Sequence, residues 1–192
     1  MIIVDQRSHG NSEGDYITFG IQERRDCLSW ISYTLERFGS DVKIMLGGLS
    51  MGAATVLMAA DMNLPENVVG IMADCPYSSP KAIIKKVGKD MHFPPELMYP
   101  FVKLGAKLFG HFDIEETDAL RAVAGTKIPI LLYHGQEDCF VPHYMSEEIA
   151  KACASPITLI STPGADHGLS YMVDPERYEL ETTRFVQKIL ND

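Results

Sequence analysis

An α/β fold, a mostly parallel sheet with helices on both faces, is what the sequence predicts, on three observations. Short apolar runs of strand length alternate with longer segments whose apolar residues recur every three or four positions. One stretch, Val42–Ala60 (VKIMLGGLSMGAATVLMAA), reads as strand, sharp turn and helix, with a single serine at the apex. Two further apolar runs open into loops rich in Gly, Asp and His, where the carboxyl ends of parallel strands gather reactive groups.

Taken in order, Ile2–Val4 is a very short apolar run that opens into a polar loop, Asp5–Tyr16. Ile21, Cys27, Leu28, Ile31, Leu35 and Phe38 recur at helical spacing, and Gly39 closes that helix. The strand Val42–Leu46 leads through Gly47–Gly48 to the serine turn and its helix. Val68–Ala73 is the next strand, ending at Asp74.

From Cys75 to about Leu120 the rhythm breaks. Pro76, Pro80, Pro94, Pro95 and Pro100 separate short helical pieces with aromatic residues between them, which predicts a small helical cap over about 76–120. Ile128–Tyr133 is a strand with Pro129 near its start, where a missing N–H is tolerated. A helix over Pro142–Cys153 and a strand over Ile157–Ile160 follow. Asp174–Pro175 opens the last helix, whose apolar face is Tyr178, Phe185, Ile189 and Leu190.

Size and composition narrow the function. A chain of 192 residues suits one domain with a full core. Its net charge of −9 argues against nucleic acid or an anionic membrane surface as partner. The 4 cysteines lack metal-ligand or disulfide-framework spacing and fit buried thiols of a reducing compartment, so the expected location is the cytoplasm. No secretory signal opens the chain, and the uncharged run Met45–Ala60 is too interrupted to span a bilayer.

Gly48-Leu49-Ser50-Met51-Gly52 fits G-x-S-x-G in the strand–turn–helix context that this motif needs. Glycines at 48 and 52 let the strand and helix backbones pass closely, and the helix aims its amides at charge developing beside Ser50. A serine hydroxyl needs a base, and the base an orienting acid. The loops after Ile128–Tyr133 and Ile157–Ile160 supply candidates in the order Ser50, Asp138, His167. Asp138 is preferred over Glu137, which would point away in a tight turn, and over Asp166, which adjoins the base itself. Of the 6 histidines, His167 alone sits in a glycine-flanked loop after the last strand, whereas His134 suits a buried, hydrogen-bonded role. No metal set and no cofactor site emerge.

With these motifs in place, the chain resembles the α/β-hydrolase family, in particular its serine aminopeptidase-like and esterase-like bacterial branch. The resemblance rests on VDQRSHGNSEG at 4–14, GLSMG at 48–52, HGQEDCFVP at 134–142 and PGADHG at 163–168, and spans nearly the whole chain. Where the family has R-G-H-G, this chain reads Arg7-Ser8-His9-Gly10, and a structural role is expected for His9. The resemblance implies a serine hydrolase acting on ester, thioester or amide bonds of a small acyl or peptide substrate, with the Met51 amide in the oxyanion hole. It also implies an N-terminally truncated sheet that lacks the family's first three strands and the loop giving the second oxyanion amide. Either Ile2–Val4 then pairs directly with Val42–Leu46, or another segment or a homo-oligomeric partner fills the gap. Two alternative readings stand beside this one. One is a hydrolase-fold fragment without activity. The other is an aminopeptidase-like enzyme using Glu96, Asp113, Glu115 and Glu116 to hold a substrate ammonium.

Overall fold

The computed structural model describes residues 1–191. Its first regular element is helix α1 (Glu23–Phe38), followed by strand β1 (Ile44–Leu49), α2 (Met51–Ala59) and β2 (Val68–Asp74). Helices α3 (Pro80–Asp90), α4 (Pro95–Leu108) and α5 (Ala119–Gly125) precede β3 (Ile130–Gly135). The chain then runs through α6 (Tyr144–Ala152), β4 (Ile157–Thr162), α7 (Ser170–Val173) and α8 (Pro175–Asn191). The four strands form one sheet in the order β1-β2-β3-β4, and every neighbouring pair is parallel.

Alternation along the strands distributes the core to both faces, as a parallel sheet covered on both sides requires. Ile71 and Ala73 of β2, with Ile130 and Leu132 of β3, join the main cluster under α2, where Leu57 and Met58 are fully buried. Each of the Ile, Leu and Met side chains contributes about 1.5–3 kcal/mol by leaving water. The intervening residues, Met72, Leu131 and Tyr133, face Tyr178 and Phe185 of α8. Gly70 lets α8 approach, since a Cβ there would lie 2.9 Å from Ile189. No described helix is long and apolar enough to cross a membrane.

β2 and β4 begin where hydropathy suggests, whereas β1 and β3 begin two residues later, for a local reason in each case. Asn67 donates its side-chain amide to the carbonyls of Ser40 and Val42, so ladder pairing with β2 starts at Ile44. Pro129 has no N–H to give, but its carbonyl accepts from Ile71, and β3 starts one residue on.

Two expectations are corrected. Ile2–Val4 forms no strand and does not pair with β1, and Ile3 is 82% exposed. β1 is an edge strand hydrogen-bonded to β2 alone, so Met45, Gly47 and Leu49 stay exposed on it. In the cap, Pro100 does not end a helix but lies inside α4, on its exposed side. α5 packs against α2, and α3 against α4. The one-turn helix α7 carries no sequence signal that announced it.

Candidate active site

Ser50 occupies the junction of β1 and α2 with φ 51° and ψ −115°, a left-handed conformation that costs a non-glycine residue about 1–3 kcal/mol. The surroundings hold it there. Its amide donates to the Asp74 carbonyl at 2.8 Å, and its carbonyl accepts from Ala54 at 3.0 Å. A Cβ on Gly48 would lie 2.3 Å from the Gly52 carbonyl, so the strand can turn under the helix only with glycine at 48. Gly52 differs from the expectation: a Cβ there would meet nothing nearer than Gln6 Nε2 at 3.9 Å. The Met51 amide opens α2 and, like every first-turn N–H, lacks an intrahelical acceptor.

The three residues singled out by sequence converge. His167 Nε2 lies 2.9 Å from Ser50 Oγ, and His167 Nδ1 lies 2.7 Å from Asp138 Oδ2. The Asp138 side chain is fully buried. Its Oδ1 accepts from the amides of Phe140 at 2.9 Å and Val141 at 2.7 Å. Burial works against ionisation, but hydrogen bonds from His134, His167 and Val141 outweigh it and hold the carboxyl well below the usual carboxylate range.

The competing acids have other duties. Glu137 turns to the Gly164 amide, as expected. Asp166 Oδ1 accepts from Cys139 at 2.9 Å and from His167's own amide at 2.8 Å, tying the β3 and β4 loops together. His134 is fully buried: its Nδ1 faces Ser146 Oγ at 2.6 Å, and its Nε2 faces the Val141 carbonyl at 2.8 Å and Asp138 Oδ2 at 3.2 Å. It braces the acid from behind. His9 bonds only its neighbouring loop, through Nδ1 and the Arg7 carbonyl at 2.8 Å.

Sequence reasoning passed over three neighbours. Cys75, fully buried with φ 47°, follows β2 and lies beneath the site. Its sulfur, an Asp138 oxygen and a His167 nitrogen lie within 4.8 Å of one another. A cation there would have to displace the Asp138–His167 hydrogen bond and ionise a thiol that burial pushes up to about 12. Asp74 is buried with Oδ1 unpaired and Oδ2 3.2 Å from Tyr178 Oη, and burial raises its pKa against that bond. The Phe140 ring meets the His167 ring edge-on at 5.1 Å between centroids. Position after a strand's carboxyl end was the one signal that could have found all three.

The carboxylates proposed to hold an ammonium are occupied. Glu96 pairs with Lys85 at 2.7 Å, Glu115 with Lys81 at 3.0 Å and also with Lys103, and Glu116 with Arg24 and Arg25. Asp113 Oδ1 accepts the Glu115 amide at 3.0 Å.

No protein-family model matches the chain. It is 24% identical over 193 residues to the protein YqkD of Bacillus subtilis, described as uncharacterised, covering 100% of this chain and 63% of that one. An uncharacterised Mycobacterium tuberculosis protein is 26% identical, covering 92% of this chain and 54% of its own length. The chain thus spans between half and two thirds of the curated relatives it matches. Among solved structures it is similar to the Pyrococcus furiosus esterase Pf2001, with a TM-score of 0.72 at 24% identity, over 96% of this chain and 68% of that one. It is also similar to mouse alpha/beta hydrolase domain-containing protein 10, with a TM-score of 0.68 at 21% identity, over 96% of this chain and 76% of that one. The parallel sheet, the serine turn between β1 and α2 and these structural likenesses agree: this chain has the α/β-hydrolase fold.

Proposed function

We propose that the chain is a serine hydrolase that cleaves ester or thioester bonds by acyl transfer. One observation carries this reading: the hydrogen-bonded series Asp138–His167–Ser50, with the serine strained at the N-terminus of α2. Ser50 Oγ attacks the substrate carbonyl while His167 Nε2 takes its proton. Asp138 keeps Nδ1 protonated and stabilises the imidazolium that forms. The Met51 amide donates to the developing oxyanion, an interaction worth about 3–4 kcal/mol for a single donor in comparable sites. Collapse of the tetrahedral adduct expels the alcohol or thiol, which receives the proton from His167. Water, deprotonated by the same imidazole, then releases the acid and restores Ser50.

The rim favours an apolar acyl portion. Leu49 precedes the serine, Phe140 flanks the His167 ring and Leu169 follows in the β4 loop, each of them at least 44% exposed. Hydrolysis of amides by an aminopeptidase-like route finds less support, because Glu96, Glu115 and Glu116 are already paired with basic side chains. The esterase among the structural neighbours supports the ester reading, and the free cysteines fit a reducing compartment.

Intact-mass labelling of the 192-residue chain with a fluorophosphonate tests it, beside Ser50→Ala and His167→Ala. A single adduct is expected on the parent chain, none on Ser50→Ala and slow labelling of His167→Ala. A folded sample that takes no label overturns the catalytic reading for this chain and favours the inactive fragment.

A further inference from the structure

α4 turns an apolar face outward. Leu97, Phe101, Leu104 and Leu108 recur at i, i+4, i+7 and i+11, a single helical stripe, and each is more than half exposed, Phe101 at 69%. Phe109 extends the stripe, and Phe93 flanks it on the turn from α3. The other side of the helix already has its packing, with Tyr99 buried and Met98 and Val102 against the core. Scattered exposed apolar residues need no explanation, but a continuous stripe along about three turns marks a docking surface.

Charge selects what docks. The chain as a whole carries −9, yet residues 80–109 hold six lysines against only Asp90 and Glu96. Those two carboxylates are neutralised by Lys86 and Lys85. Lys81 and Lys103 meet Glu115, and no carboxylate among the described residues pairs with Lys89 or Lys107, both exposed. Lys107, three residues after Leu104, flanks the stripe. An apolar stripe rimmed by unpaired lysines repels a second copy of itself and complements a negatively charged apolar boundary.

We propose that the α3–α4 cap docks this chain on an anionic lipid surface. The whole-chain charge, which argued against such a partner, averages over this local excess. The cap also adjoins the candidate active site. Lys86 donates to the Cys139 carbonyl and stands 5.7 Å from the centre of the Phe140 ring, whose neighbour is His167. Docking would thus bring Ser50 to the boundary where apolar esters collect. That last link rests on the proposed function, whereas the docking itself does not.

Vesicle co-sedimentation tests the docking without any turnover. The chain is expected to sediment with phosphatidylcholine vesicles that contain phosphatidylserine, and to lose binding on phosphatidylcholine alone or at raised salt. Phe101→Glu with Leu104→Glu should cut the bound fraction about tenfold, and Lys89→Glu with Lys107→Glu several-fold, at unchanged melting temperature. Ser50→Ala should bind as the parent does, which separates this outcome from failure of the hydrolase reading. The proposal is overturned if the parent does not sediment, or if the glutamate variants sediment equally well. It is also overturned if the parent elutes as a dimer that Phe101→Glu dissociates, which would make the stripe a contact between copies.

Discussion

Gly48 and Gly52 cross at backbone contact: a methyl group on Gly48 would stand 2.3 Å from the Gly52 carbonyl carbon and oxygen. The contact is one-sided, because a methyl on Gly52 would reach only the Gln6 side chain at 3.9 Å. The motif's two glycines therefore do different work. The first clears space for the crossing, and the second offers the backbone that is crossed.

Gly48→Ala should accordingly disrupt the serine turn, since only backbone could yield and overpacking of this kind costs about 1–3 kcal/mol or more. Gly52→Ala should fold with little change. Thermal melts of the two variants, followed by circular dichroism, check the asymmetry; equal losses would mean that both positions are sterically closed.

Asp138 gives a prediction in pH. Its folded pKa is depressed, so its ionised form stabilises the fold above the unfolded carboxylate range near 4, and that contribution is lost as pH falls toward the folded value. The melting temperature of Asp138→Asn should lie furthest below the parent at neutral pH, with the gap closing below about pH 4. On the proposed mechanism kcat of this variant drops on the order of 10⁴-fold, because an amide holds the imidazole in the wrong tautomer. Differential scanning across pH and ester kinetics measure the two effects separately.

The thiols should sort by environment. Cys139 is exposed, whereas burial pushes Cys27 up to about 11 and Cys75 up to about 12. Iodoacetamide at pH 8 should label Cys139 of the native chain first, ahead of the half-buried Cys153, and spare Cys27 and Cys75 until denaturation exposes all 4. Mass spectrometry of Cys139→Ser should then show no rapid adduct. Rapid native labelling of Cys75 would mean that the floor of the site opens.

Much of this is legible in the residues alone. The serine turn announces itself because its geometry restricts residue choice locally: glycine must flank a strained apex, and a strand and helix of recognisable period must bracket it. The preference for Asp138 over Glu137 was equally local, since a tight turn sends adjacent side chains in opposite directions. The prolines misled for a related reason. Pro100 marks where a helix loses a hydrogen bond, not whether packing can tolerate that loss, and α4 runs through it. Ile2–Val4 reads as a strand from its residues, but a strand exists only with a partner, and it does not pair with the outer edge of β1.

By itself, then, the sequence determined the alternation of strands and helices, the serine turn and the order of the three candidate site residues, because each depends on neighbours along the chain. The tertiary structure alone decided the rest. It brought Ser50 and His167, 117 positions apart, to 2.9 Å, placed His134 behind Asp138 and Cys75 beneath both, and paired Glu96, Glu115 and Glu116 with lysines and arginines. Those are distances across a sheet. They are set by how four parallel strands stack and where their loops converge, which no run of consecutive residues encodes.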